Sequence, residues 1–176
     1  MSGLDAGLLA AVAALAAALA ATLVARRAPR PLPIRGDARR ILVPFVGRLD
    51  RSVLDAAIRI ARAEDAVLVP AYLVLVPLRY GEDSPLKEQV GVALPLLEAV
   101  EHAALRAGVP VDARIEKGRT LPHALRHLWE AERFDRIVAA APVNGGGAGF
   151  TPKDLTWLLT HAPTETIVLK PMPHAA

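Results

Sequence analysis

The sequence predicts an α/β domain built on a doubly wound parallel sheet and carried behind one N-terminal transmembrane helix. Three observations predict it. After residue 40, short apolar runs alternate with helical stripes. Residues 6–25 carry no charge. Between these regions lies a stretch punctuated by Pro29, Pro31 and Pro33.

The uncharged run is long enough, as a helix, to span about 30 Å, the thickness of a bilayer's hydrocarbon core. Leu8, Leu9, Val12, Leu15, Leu19, Leu23 and Val24 supply most of its apolar bulk. Only Asp5 precedes it, whereas Arg26, Arg27 and Arg30 follow it. The positive-inside rule then places the following domain in the cytoplasm, as a single-pass protein of the cell membrane. Two other readings stay open. One is a cleaved signal peptide, although MSGLD lacks a basic start. The other is an Ala-rich helix that never enters a bilayer. The expected division is a membrane helix at 1–27, a Pro/Arg-rich juxtamembrane linker at 28–39, a domain at 40–171 and a tail at 172–176. The prolines of the linker disfavour helix and favour extended chain.

Within the domain, 41–46 is a nearly continuous apolar run, as expected of a strand buried on both faces. Asp50 or Ser52 starts a helix through 63, with Val53, Ala56, Ala57, Ile60 and Ala61 on one stripe. A second strand covers 66–76. A long helical pattern follows at 86–107, with Gly108 placed to end it and Pro95 expected to kink or break it. Residues 109–116 read as a third strand, and Gly118 turns the chain into a helix at 121–132. A fourth strand at 136–141 runs into a Gly-rich loop, then a helix at 152–160 and a last strand at 166–170. Five strands with four intervening helices require parallel pairing.

Charge and composition exclude several functions. Six of the 21 Lys and Arg lie in residues 1–40, against two of the 18 Asp and Glu, which leaves 15 basic and 16 acidic residues in 41–176. A near-neutral domain gives no footing for nucleic acid. The chain has no cysteine, hence no disulfide framework and no thiol chemistry.

Four stretches resemble the universal stress proteins: Ile41-Leu42-Val43-Pro44 ahead of the first helix, Lys117-Gly118 ahead of the third, Phe134-Asp135-Arg136-Ile137-Val138, and His161-Ala162-Pro163 before Thr166-Ile167-Val168-Leu169. The likeness covers about 39–171. It implies strand order 3-2-1-4-5, dimerisation through the last strand and, by association in that family, a membrane transporter or channel as partner.

In such a sheet ligands bind where strand order reverses, beyond the carboxyl ends of strands one and four. The candidate site residues are therefore Phe45, Val46 and Gly47, opposite Asn144, Gly145, Gly146, Gly147, Gly149, Thr151 and Lys153. In ATP-binding members the family pattern has an Asp ending strand one and a G-x2-G-x9-G-[ST] loop. This chain departs at both: Val46 stands at the Asp position, and Pro152-Lys153 fall where the final Gly-Ser pair is expected. Two readings follow. The loop is an altered anion site using flexible amides, the Thr151 hydroxyl and the Lys153 ammonium. Alternatively it is a plain connection, with Thr151 as N-cap and Pro152 at the first helical position.

The other constellations are weaker. His123 and His127 share a helix face but lack a third ligand in the sequence, so they read as surface histidines. Trp129 and Trp157 read as core or interface residues, and Asp50 as an acid at a helix N-terminus. No P-loop or Ser/His/Asp arrangement is visible. The expectation is a membrane-anchored, cytoplasm-facing regulatory or interaction domain of universal-stress type, homodimeric, without enzymatic activity and not a standard ATP binder. One alternative is a sensor of ATP, AMP or another phosphoanion. Another is a weak nucleotide hydrolase, for which Asp154 is the only acid near the loop in sequence.

Overall fold

The computed structural model describes residues 32–34, 36–81, 86–142 and 149–170, all within the unit Pro31–Ala176. The uncharged segment 6–25 lies outside these residues. Among the described residues, no helix is long and apolar enough to cross a membrane.

Among the described residues nine elements follow in strict alternation: β1 (Arg40–Phe45), α1 (Arg51–Ala63), β2 (Val67–Leu75), α2 (Lys87–Arg106), β3 (Arg114–Gly118), α3 (Leu121–Ala131), β4 (Arg136–Ala140), α4 (Pro152–His161) and β5 (Glu165–Leu169). The strands form one parallel sheet in the order β3-β2-β1-β4-β5, as the resemblance implied. The near-continuous apolar runs of β1 and β2 are explained by their central place, since both of their faces are covered.

Alternation along the strands divides the core into two layers. Leu42, Val69, Ala71 and Ile137 meet Leu121, Leu125 and Leu128 of α3 and Leu155 and Leu158 of α4. On the other face Ile41, Val43, Leu68 and Val138 meet Val53, Ala57 and Ala61 of α1 and Val100 and Ala104 of α2. A smaller cluster joins Phe45, Tyr72 and Val74 to Ala93 and Leu97 of α2. Burying each Leu or Ile contributes about 2–3 kcal/mol, enough in sum to hold the helices without disulfides.

Two details differ from the sequence reading. Pro95 does not break α2, which runs unbroken from Lys87 to Arg106. Both Pro95 and Gly91 are exposed, so solvent reaches the carbonyl that loses its partner. The third strand starts at Arg114 and ends at Gly118, later than the expected 109–116; before it, only Val111 bridges to Leu68. The cause lies in β2. The Leu68 amide donates to the Pro110 carbonyl, and the Leu68 carbonyl accepts from the Asp112 amide. The alternate residue facing β3 is therefore Pro70, which has no N–H to give, and regular pairing resumes only at Ala71↔Arg114.

Candidate functional site at the carboxyl edge of the sheet

Proline acts a second time where it matters for the site. Val67 donates to the Arg39 carbonyl, so the odd residues of β1 face β2 and the even ones face β4. Pro44 thus faces β4 without an N–H. The β1–β4 ladder stops at Leu42↔Ile137, although β1–β2 pairing continues to Phe45↔Tyr72. The sheet is unzipped at the switch point, on the carboxyl side where the ligand crevice was expected.

β1 then turns sharply. The Arg48 amide donates to the Val46 carbonyl at 2.7 Å across Gly47, whose φ is +67. That is a γ-turn with a positive central φ, a conformation costly to any residue with a Cβ. Asp50 then caps α1, its carboxylate accepting from the Ser52 amide at 2.8 Å. The helix-terminal acid expected there is an N-cap.

The predicted site residues do not share one environment. Phe45 is a core residue: its ring is 3% exposed and meets Tyr72 edge-on at 5.5 Å between centroids. Val46 is half-buried and packs on the same apolar cluster as Ala141 and Phe150, which flank the glycine segment in sequence. Both sides of the crevice thus contribute to one apolar layer, where the family pattern has a carboxylate. Asn144, Gly145, Gly146 and Gly147 lie outside the described residues; Gly149, with φ +122, lies within them.

Thr151 and Pro152 occupy the N-cap and first helical positions of α4. Asp154 completes a capping box. The Thr151 amide and hydroxyl both donate to Asp154 Oδ2, at 2.9 and 2.6 Å, and the Asp154 amide donates to Thr151 Oγ1 at 3.2 Å. A helix N-terminus attracts anions through its free amides and its dipole. Here the protein's own carboxylate takes that position, and Pro152 contributes no donor. Lys153 is exposed beside it. The Thr-x-x-Asp spacing was readable in the sequence as a capping signal.

A residue with no local signal closes the same edge. Arg119, just beyond β3, donates through Nη1 to the carbonyls of Pro77 and Tyr80, each at 2.8 Å, and sits 3.5 Å from that of Val76. It pins the chain leaving β2. Gly118 lets α3 approach: a Cβ there would lie 2.5 Å from the Ala124 nitrogen.

The remaining candidates sit on α3 and α4. The rings of His123 and His127 are 4.3 Å apart. His123 Nδ1 accepts from the Arg119 amide at 3.3 Å, and His127 Nδ1 lies 3.4 Å from Glu116. Among the described residues no group of three side chains could hold a metal ion. Trp129 and Trp157 stack at 5.6 Å, His161 stacks on Trp157 at 4.8 Å, and Arg126 lies over Trp157. Both tryptophans pack on the α3/α4 core layer.

No known family model matches this chain, and no curated protein matches it in sequence. Solved structures do match its fold. A protein of the universal stress protein family from Burkholderia pseudomallei aligns with a TM-score of 0.58 at 22% identity, over 79% of this chain and 100% of its own. The universal stress protein from Archaeoglobus fulgidus, in complex with dAMP, aligns with a TM-score of 0.56 at 15% identity, over 74% and 96%. A universal stress protein family protein from Arabidopsis thaliana, with AMP bound, aligns with a TM-score of 0.53 at 13% identity, over 77% and 93%. At these identities the likeness establishes the fold.

Proposed function

We propose that the chain is a membrane-anchored, cytoplasm-facing regulatory or interaction domain of universal-stress type that does not bind ATP in the family's standard way. The observation that carries this reading is the Thr151–Asp154 capping box, which puts a carboxylate on the helix N-terminus where a phosphate would need free amides. Val46, packed into apolar surroundings at the end of β1, supports it from the other side of the crevice. The tether is residues 6–25, followed by its arginine collar. Tethering raises the domain's effective concentration toward partners in the same membrane, and a transporter or channel is the proposed class. A homodimer through the edge strand β5 is part of the proposal, as is the absence of enzymatic activity. For a hydrolase, the Asp154 carboxylate would have to leave its cap to hold a metal.

The second reading is an adenine-nucleotide sensor. It is favoured by the dAMP and AMP seen in structures of the same fold and by the β1–β4 ladder that opens beyond Leu42. A thermal-shift series on residues 31–176 separates the two. The interaction-domain reading expects no change in Tm with millimolar ATP, ADP, AMP or cyclic AMP, each with Mg²⁺. A ligand at a hundredfold excess over its Kd would add about 2.7 kcal/mol, several degrees for a domain of this size. Such a rise, if lost in Lys153→Ala, would establish the sensor instead.

A further inference from the structure

On the face of the sheet opposite α3 and α4, a groove of about 560 Å³ runs between α1 and α2. Its apolar lining is Leu54 and Ile58 from α1, Ala99 and Ala103 from α2, and Ala107, the C-cap of α2. Its rim is basic, with Arg51, Arg59, Arg62 and Arg106 against the single acid Asp55. Asp55 already lies 4.0 Å from Arg51, whose side chain is 86% exposed. Among the described residues no acid pairs with Arg59, Arg62 or Arg106.

Helix dipoles account for part of this charge and not for the rest. Arg62 and Arg106 stand in the last turns of α1 and α2, where a cation is favourable. Arg51 opens α1, at the positive end of the dipole, where a cation is unfavourable. Small alanines keep the trough open between its guanidinium walls.

Each helix runs opposite to its strands, so the ends bearing Arg62 and Arg106 lie at the amino edge of the sheet, where β1 begins at Arg40. Arg39, the last linker residue, lies 3.8 Å from Glu64, the C-cap of α1. The linker 28–39 reaches at most about 40 Å when fully extended. A domain so tethered keeps this edge within reach of the bilayer.

We propose that the α1/α2 groove docks on anionic phospholipid headgroups of the membrane that holds the chain, the guanidinium rim on phosphates and the apolar lining against the interfacial region of the acyl chains. The proposal rests on the membrane-anchor reading. Charge complementarity carries it: basic residues close to an anionic bilayer surface each add to binding, and the attraction decays within a Debye length.

The test uses the full chain in nanodiscs of neutral phosphatidylcholine and in nanodiscs with about one third phosphatidylglycerol, a strongly anionic surface. Hydrogen exchange is read across residues 51–63 and 99–107. The chain should co-elute with both discs. Amide exchange in these two segments should be about tenfold slower with phosphatidylglycerol. The triple variant Arg59→Glu, Arg62→Glu, Arg106→Glu should lose that protection, and high salt should abolish it in the parent chain. The triple Gln variant, with an unchanged Tm, would show that the loss is not unfolding and should retain only part of the protection. A chain that stays in both discs with lipid-independent exchange overturns docking while the anchor stands. A chain that leaves neutral discs overturns the anchor and the docking together. Protection by a polyglutamate peptide in neutral discs, with none from phosphatidylglycerol, would overturn the lipid and assign the face to an acidic protein.

Discussion

At the amino edge of the sheet, side-chain charges join elements distant in sequence. Arg40 bridges Asp112 and Glu132, at 2.5 and 2.8 Å, and Arg114 reaches the same two acids. Arg136 pairs with Glu64 and with Glu165. These partners sit at the starts of four strands and the ends of two helices. At the carboxyl edge the chain is held by different means: a γ-turn at Gly47, the Arg119 clamp on backbone carbonyls, the capping box and a β1–β4 ladder cut short by Pro44. The amino edge is closed by opposite charges in contact, with Arg40 Nε left without a hydrogen-bond partner among the described residues. The carboxyl edge leaves the ends of β1 and β4 unpaired with one another and continues into irregular chain, the kind of segment from which binding surfaces are drawn.

The sharpest way to break this comparison is at Gly118. In Gly118→Val the new side chain collides with the backbone of α3, which cannot swing away as a flexible side chain could. The expected loss is about 3 kcal/mol in urea denaturation. A loss below about 1 kcal/mol, the range of ordinary surface changes, would mean that α3 is free to shift.

Arg119→Met removes charge-assisted donors from two carbonyls and should cost about 2 kcal/mol. The distinguishing readout is local: faster hydrogen exchange across 76–81 with the rest of the sheet unchanged. Uniform acceleration would show that the clamp supports the whole fold.

At the opposite edge, Arg40→Met leaves Asp112 and Glu132 to Arg114 alone. The group is about one-fifth exposed, so the cost is less than that of breaking a fully buried pair, about 1.5 kcal/mol. A larger loss than Gly118→Val would reverse the ranking of the two edges. The smallest effect should come from Thr151→Ala, about 1 kcal/mol for a lost N-cap, visible as fraying of α4 in its amide exchange.

What the sequence disclosed follows from how local each cause is. Apolar runs and helical stripes disclosed every strand and helix among the described residues, the third strand with displaced bounds, because burial writes itself into neighbouring residues. The Thr151 cap was legible for the same reason. The shortened third strand was not, since its cause is Pro70 on the neighbouring strand. Nor was the amino-edge network: Arg40 and Asp112 are 72 positions apart, and only the sheet order brings them together. Arg119 is likewise silent in sequence, with carbonyl partners 39 to 43 residues upstream. Phe45 was placed at the crevice by its position at the end of β1, but whether its ring turns inward depends on Tyr72, one strand over. The segment 6–25 and the four candidates from Asn144 to Gly147 fall outside the described residues.

A titration of the ¹⁵N-labelled domain, residues 31–176, with Mg·ATP and with AMP tests the crevice most directly. The amides of Gly47 and Thr151 report its two walls, one at the γ-turn and one held by Asp154. The occupied helix cap predicts that neither resonance moves with nucleotide up to millimolar concentration. Saturable shifts of both, with the Thr151 amide leaving its carboxylate partner, would contradict it and make the crevice a nucleotide site.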